Sequence, residues 1–157
     1  MFSKVFSMNS FDSIDTTLLG YLSQRGRATW AELGEHLKLS PPAAAERVRK
    51  LEERGVIKGY AALLDAESIG KSLTAFIAVS LATHSLRQSF LEAISTLPQI
   101  EECHHVAGEH DFMLKARCSG TRELEQLLTA ELKGKAGAGR THTTIVLATF
   151  KDKPVSI

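Results

Sequence analysis

The sequence predicts an α+β chain in two parts, an N-terminal winged-helix-like helix-turn-helix and a C-terminal ferredoxin-like βαββαβ domain. Three observations carry this. Two short, strongly capped helices lie a few residues apart near the N-terminus, which is helix-turn-helix spacing. A short apolar run follows them as a strand or ribbon. From Lys71 onward, strand–helix–strand occurs twice in succession, a split-βαβ pattern. The boundaries read as a tail over 1–11, a helix-turn-helix unit over 12–60, a linker or ribbon over 61–72 and the ferredoxin-like domain over 73–152.

In the first helix Ile14, Leu18, Tyr21 and Leu22 recur at helical spacing. Asp12 or Ser13 can cap it, and Arg25-Gly26 ends it. Thr29-Trp30-Ala31-Glu32 is a capping box opening a second helix that carries Ala31, Leu33 and Leu37. Gly34 inside that helix costs about 1 kcal/mol relative to Ala, a cost that close helix packing can offset. Ser40 can accept the free N–H groups of the third helix, and Pro41 fits its first position. At about 100° per residue Ala44, Val48 and Leu51 form one narrow stripe, with Arg47, Lys50 and Arg54 clustered beside it. Gly55 is placed as a left-handed cap. So thin a stripe is too little for a core helix. It suits a helix with one face on its own domain and the other in the major groove of DNA. Taken alone, the same helix also reads as a surface helix with solvated charges; the capped helix before it favours the first reading. Val56–Leu64 comes next as the expected strand or ribbon.

In the second half Leu73–Leu81 reads as a buried strand. Leu86, Phe90, Leu91, Ile94 and Leu97 space as a helix stopped by Pro98. Ile100–Val106 and Asp111–Cys118 are the next strands, joined by the turn-like Ala107-Gly108-Glu109-His110. Thr121-Arg122-Glu123 opens a helix bearing Leu124, Leu127, Leu128 and Leu132. Glycines in 133–139 break it, and Thr141–Phe150 is the last strand. Helices cover one sheet face. The other calls for a second copy, with Ala75, Ile77, Val79, Ile145 and Leu147 as candidates to lie on it.

The chain has 157 residues, 43% apolar and 24% charged, with net charge +1. No window approaches the roughly 18 apolar residues of a membrane span. Residues 1–11 lack the apolar block of a signal peptide, and Met8 offers an alternative start. Cys103 and Cys118 make no disulfide framework, so reduced thiols and a cytoplasmic location are expected, and DNA as the partner would make that location nucleoid-associated. Residues 1–60 hold nine Lys/Arg against seven Asp/Glu, and the remainder ten against eleven. Bulk charge therefore carries little of the DNA reading, and a weakly basic protomer gains phosphate contacts by assembling.

The chain resembles the leucine-responsive regulator / AsnC (Lrp/AsnC) family of transcription regulators. The matching residues are Ile14-Asp15 with Leu18-Leu19, Gly26-Arg27, Glu32-Leu33, Leu39-Ser40-Pro41, Glu46-Arg47-Val48-Arg49-Lys50-Leu51-Glu52 and Gly55-Val56-Ile57-Lys58-Gly59-Tyr60. Glu102-Cys103-His104, Gly108 with Asp111, and Thr143 to Lys151 extend the match. The resemblance implies a C-terminal RAM domain, dimers assembling further as a tetramer of dimers, double-stranded DNA as partner, and a small effector, usually an amino acid, held between dimers beside the turn at 107–111. Gly108 would let backbone approach a ligand closely, and Asp111 would take its ammonium group. Glu109 lies in the same turn, His105 and Thr144 approach it by position in the motif, and Thr121 is a weaker candidate. DNA contact would fall to Ser40, Pro42, Ala43, Glu46, Arg47, Arg49, Lys50 and Arg54.

There are departures from the family pattern. Gly34 stands where alanine is more usual, Ala43–Ala45 replaces proline and larger apolar residues, and Glu109-His110 is an unusual pair. Glu46 and Lys50 also read as an exposed i,i+4 ion pair, and Asp111 as a plain turn cap. Cys103, His104 and His105 with Glu109, His110 and Asp111 lack the CxxC or HxxxH spacing of a closed metal site. No catalytic residue, resident cofactor or metal is expected. Two alternatives stand beside the regulator: a sirohaem-decarboxylase-like enzyme, which His104, His105 and His110 keep open, and an amino-acid sensor that does not bind DNA.

Overall fold

The computed structural model describes residues 11–153, 155 and 157; residues 1–10 of the expected tail, including Met8, lie outside them. The chain divides into two compact units, Met1–Leu63 with Lys151–Ile157, and Leu64–Phe150.

In the first unit α1 spans Ser13–Gln24, α2 Trp30–Leu37 and α3 Pro41–Glu53. Each start is held by the cap its sequence offers. The Asp12 carboxylate accepts from Asp15 N at 2.7 Å. Thr29 and Glu32 satisfy each other's backbone N–H groups, closing the capping box. Ser40 Oγ accepts from Ala43 N. The ends of α2 and α3 share one device. Leu39 N donates to Gly34 O and Lys38 N to Glu35 O, with Lys38 left-handed at φ 56°. Val56 N donates to Leu51 O and Gly55 N to Glu52 O, with Gly55 at φ 70°. Both are Schellman closures, the first built on a lysine where glycine is the unstrained choice. A Cβ on Gly34 would lie 2.7 Å from Leu39 O and 3.2 Å from Pro41 N, so a bare Cα there lets the turn fold tightly against α2. Leu18, Leu33, Leu37, Ala44, Val48 and Leu51 form the core where the three helices meet.

Val56–Leu64 forms no strand, against the sequence expectation. Val56 and Ile57 both donate back to Leu51 O and pack on the helical core. They complete the cap of α3, and residues 58–64 join no strand ladder among the described residues.

The second unit is a four-stranded antiparallel sheet in the order β2-β3-β1-β4, where β1 is Leu73–Leu81, β2 Ile100–His105, β3 Phe112–Cys118 and β4 Ala138–Ile145. Helix α4, Arg87–Ser95, packs on one face. So does α5, Thr121–Gln126, which widens into π-type turns through Lys135, where Ala136 N donates to Glu131 O. Phe90, Ile94, Leu124, Leu127 and Leu132 meet Ala75, Ile77, Val79, Phe112, Leu114, Ala116 and Cys118 there.

That core corrects the assignment of faces. Ala75, Ile77 and Val79 are fully buried under the helices, and Ile145 pairs with Ala75 on that side. The open face carries Phe76 and Ala78 of β1, Met113, Lys115 and Arg117 of β3, and Arg140, His142 and Thr144 of β4. Leu147 lies beyond the sheet, almost wholly exposed. The last strand also starts earlier than expected. Gly137 turns the chain at φ 79°, and Gly139 sits within β4 where a Cβ would meet Ala82 backbone at 2.9 Å. This falls at the register shift after Ser80, so the glycines that read as a linker are the close approach that lets β4 pair.

Candidate functional site

The buried stripe of α3 fixes which side chains point outward. Opposite it lie Pro42, Glu46, Arg49, Lys50 and Glu53, all exposed. Arg47 and Arg54 stand on the flank, about 65–90° round the helix from the stripe's centre. Ser40 and Ala43 are exposed at the helix start. Six of the eight residues expected at DNA thus share the open side and end of α3, and two sit at its edge.

The outward charges are paired along the helix. The Arg49 guanidinium forks between Glu46, at 2.6 Å and 3.0 Å, and Glu53. Lys50 Nζ lies 3.7 Å from Glu46. Arg49 holds the Glu46 carboxyl below the usual carboxylate range. The surface-pair reading of Glu46 and Lys50 is therefore present, with Arg49 the stronger partner. Arg47 is engaged elsewhere: its Nη1 lies 2.8 Å from Asp12 Oδ2 and 2.7 Å from Asp15 Oδ1. The backbone N–H of Asp15, then Arg47, pull Asp12 below its ordinary value. Arg54 lies over the Phe11 ring at 5.5 Å. Both are tied to the start of α1, a pairing across 32 residues or more that helix periodicity could not reveal.

The second region is the turn between β2 and β3. Gly108 sits at φ 148° with nothing within 4 Å of where a Cβ would be. Val106 N donates to Asp111 O, and Asp111 N to Val79 O. Asp111 Oδ2 accepts from Leu81 N at 2.8 Å, so this carboxylate caps the end of β1. His110 Nδ1 and Ser80 Oγ are 3.1 Å apart, and Arg140 reaches Glu109 at 3.1 Å. Sequence reasoning misses Ser80 and Arg140; strand register alone brings them here, because they face each other across β1 and β4.

Of the other expected residues, two lie away from the turn within the chain and His105 lies beside it. Thr144 pairs with Phe76, four positions from Ser80, or roughly 13 Å along the sheet. Thr121 opens α5 beyond the far end of β3, roughly 20 Å from the turn. His105 ends β2 opposite Phe112, its ring 5.5 Å from that ring, on the helix-covered side together with Cys103, while His104 pairs with Glu102 on the other. Among the described residues no group of three or more His, Cys, Asp or Glu is placed to hold a metal ion.

A helix-turn-helix unit with an outward charged helix, followed by a ferredoxin-like unit, is the two-domain architecture of a DNA-binding regulator. Residues 11–52 match the AsnC-type helix-turn-helix domain and residues 74–156 the Lrp/AsnC ligand binding domain. The chain belongs to the Lrp/AsnC family of transcription regulators. It is 38% identical to the HTH-type transcriptional regulator LrpA of Mycobacterium tuberculosis, over 90% of this chain and 93% of that protein. It is 35% identical to the leucine-responsive regulatory protein of Escherichia coli, over 89% and 87%. Among solved structures, a transcriptional regulator of Neisseria meningitidis in complex with L-methionine superposes with a TM-score of 0.87 at 30% identity, covering 92% and 94% of the two chains. The feast or famine regulatory protein of M. tuberculosis, complexed with L-methionine, gives 0.86 at 37%, covering 91% and 96%. These relatives are named as transcription regulators or regulatory proteins.

Proposed function

We propose that this chain represses or activates transcription by laying the outward face of α3 in the major groove, with an amino acid as its effector. The observation that carries the DNA reading is the helix itself. It is clamped by a Schellman-closed turn, buries one narrow stripe, and presents Pro42, Ala43, Glu46, Arg49 and Lys50 on its exposed face, where surface ion pairs can be exchanged for bases and phosphates. Ser40, at the helix start, is suited to a phosphate contact.

The effector reading rests on the turn at 107–111. Gly108 has an open approach, and Glu109, Asp111 and Arg140 supply both signs of charge to an α-amino acid. L-methionine in two of the relatives supports an amino acid as the ligand class. The open sheet face, with Phe76 40% exposed, favours a homodimer that assembles further; the DNA reading carries the cytoplasmic, nucleoid-associated location.

Selection of duplexes from a random pool tests the DNA reading. Enrichment of paired half-sites one helical turn apart, or a multiple of it, is expected; no enrichment refutes it. A thermal-shift screen across the amino acids tests the effector. A ligand at about 100 times its Kd adds about 2.7 kcal/mol, and twenty flat curves count against an amino acid.

A further inference from the structure

The start of α1 occupies the cationic flank of α3. Asp12 uses Oδ1 for its cap bond to Asp15 N and Oδ2 for Arg47. Among the described residues Asp15 is the charged side chain buried in the core, 9% exposed, and its Oδ1 faces the same guanidinium nitrogen. A buried carboxylate needs a charged partner, and Arg47 supplies it. Arg47 is itself 31% exposed, against 56% for Arg49 and 63% for Lys50. The cluster of Asp12, Asp15 and Arg47 carries one net negative charge, which repels a phosphate. Next to it Arg54, itself exposed, lies over the Phe11 ring.

Resting on the reading of α3 as a DNA-contacting helix, we propose that Arg47 is a positioning residue, a clasp that sets the angle of α3 on α1, and that the cationic contacts to DNA come from Arg49 and Lys50. The run Arg47-Val48-Arg49-Lys50 presents as one patch two roles that differ physically. A cation that touches phosphate gives up counterions on binding, and its loss lowers the salt dependence. A clasp that aims the helix changes how well the right sequence is preferred over others and leaves the salt dependence alone.

The test uses the full chain and a duplex it enriches from a random pool, beside a scrambled duplex. Arg47→Met is expected to weaken the enriched duplex about tenfold more than the scrambled one, with log K against log salt parallel to the parent's. Lys50→Met, the comparator, should weaken both duplexes and flatten the slope by about 0.9. A slope flattened by about 0.9 in Arg47→Met, with the preference for the enriched duplex unchanged, overturns the proposal. Asp15→Asn decides the matter by sign if Arg47→Met does not fold. The clasp predicts weaker binding of the enriched duplex. An Arg47 that reads DNA and is only restrained by the acids predicts tighter binding, because a negative charge is gone and the guanidinium is released. If the parent enriches no duplex at all, the DNA reading itself fails and takes this proposal with it.

Discussion

Glu123 gathers four hydrogen bonds at the start of α5, and replacing it with glutamine has a calculable effect on the ligand-binding unit. Its carboxylate accepts from Ser119 N at 2.6 Å, from Lys71 Nζ at 2.9 Å and 3.1 Å, and from Gln99 Nε2 at 3.0 Å. One side chain thereby joins the entry to β1, the entry to β2 and the loop after β3. The Ser119 backbone N–H, then Lys71, hold its carboxyl down at about 2 against an ordinary 4.5. At 1.36 kcal/mol per tenfold change in proton affinity, the ceiling is about 3.4 kcal/mol. Lys71 is 39% exposed and Glu123 21%, so solvent screens the pair, and about 1–2 kcal/mol is expected. The sign is that of a lowered carboxylate. The contribution is complete above the unfolded carboxylate's 4.5 and is lost as pH falls toward 2. Glu123→Gln keeps an acceptor for Ser119 N and loses the charge. Calorimetry at pH 7 should show the second unit melting about 4–16 °C lower, with the gap closing as pH drops from about 5 toward 2. Equal melting at pH 7, or a gap that persists undiminished in acid, refutes the reasoning.

Three further outcomes are expected. Lys38→Gly relieves the left-handed φ of 56° at the end of α2 and should raise the first unit's stability by about 0.5–1 kcal/mol, read by denaturant melting; an unchanged or lower midpoint counts against the strain. Asp111→Asn keeps an acceptor for Leu81 N while removing the charge, so it should melt near the parent and lose the thermal shift given by the effector amino acid. Asp111→Ala should in addition cost about 1–2 kcal/mol for the orphaned N–H. A full ligand shift in Asp111→Asn would remove this carboxylate from the ammonium role. Glu53→Gln releases one of Arg49's acidic partners from the outward face of α3 and should tighten binding to scrambled DNA several-fold at low salt, by mobility shift; unchanged affinity would mean that the pairing does not restrain Arg49.

Most of the fold was legible because local chemistry dictates it. The caps at Asp12, Thr29 and Ser40, the stripe of Ala44, Val48 and Leu51, and the bounds of β1 are all set by neighbours close in sequence. What failed depended on partners distant in sequence. In Leu73–Leu81 the odd positions are all apolar and the even ones mix Thr74 and Ser80 with Phe76 and Ala78, so alternation marks the odd set as buried but not whether helices or a second copy cover it; the packing of Phe90 decides it. Thr144 looked near the turn by motif position, and strand register sets it four residues away within the chain while bringing Arg140 in. Val56–Leu64 has strand-like composition, but its first residues close the cap of α3 and none of it joins a strand ladder among the described residues. Arg47 looked like its neighbours Arg49 and Lys50 because the acids that engage it belong to another helix.

The central claim is that the outward face of α3 reads DNA, and the double variant Arg49→Ala with Lys50→Ala tests it most directly. Two cations lost from that face should abolish preference for the enriched duplex and reduce the salt slope by about 1.8, with the oligomer's sedimentation unchanged. Undiminished affinity and slope in a correctly assembled double variant would contradict the account.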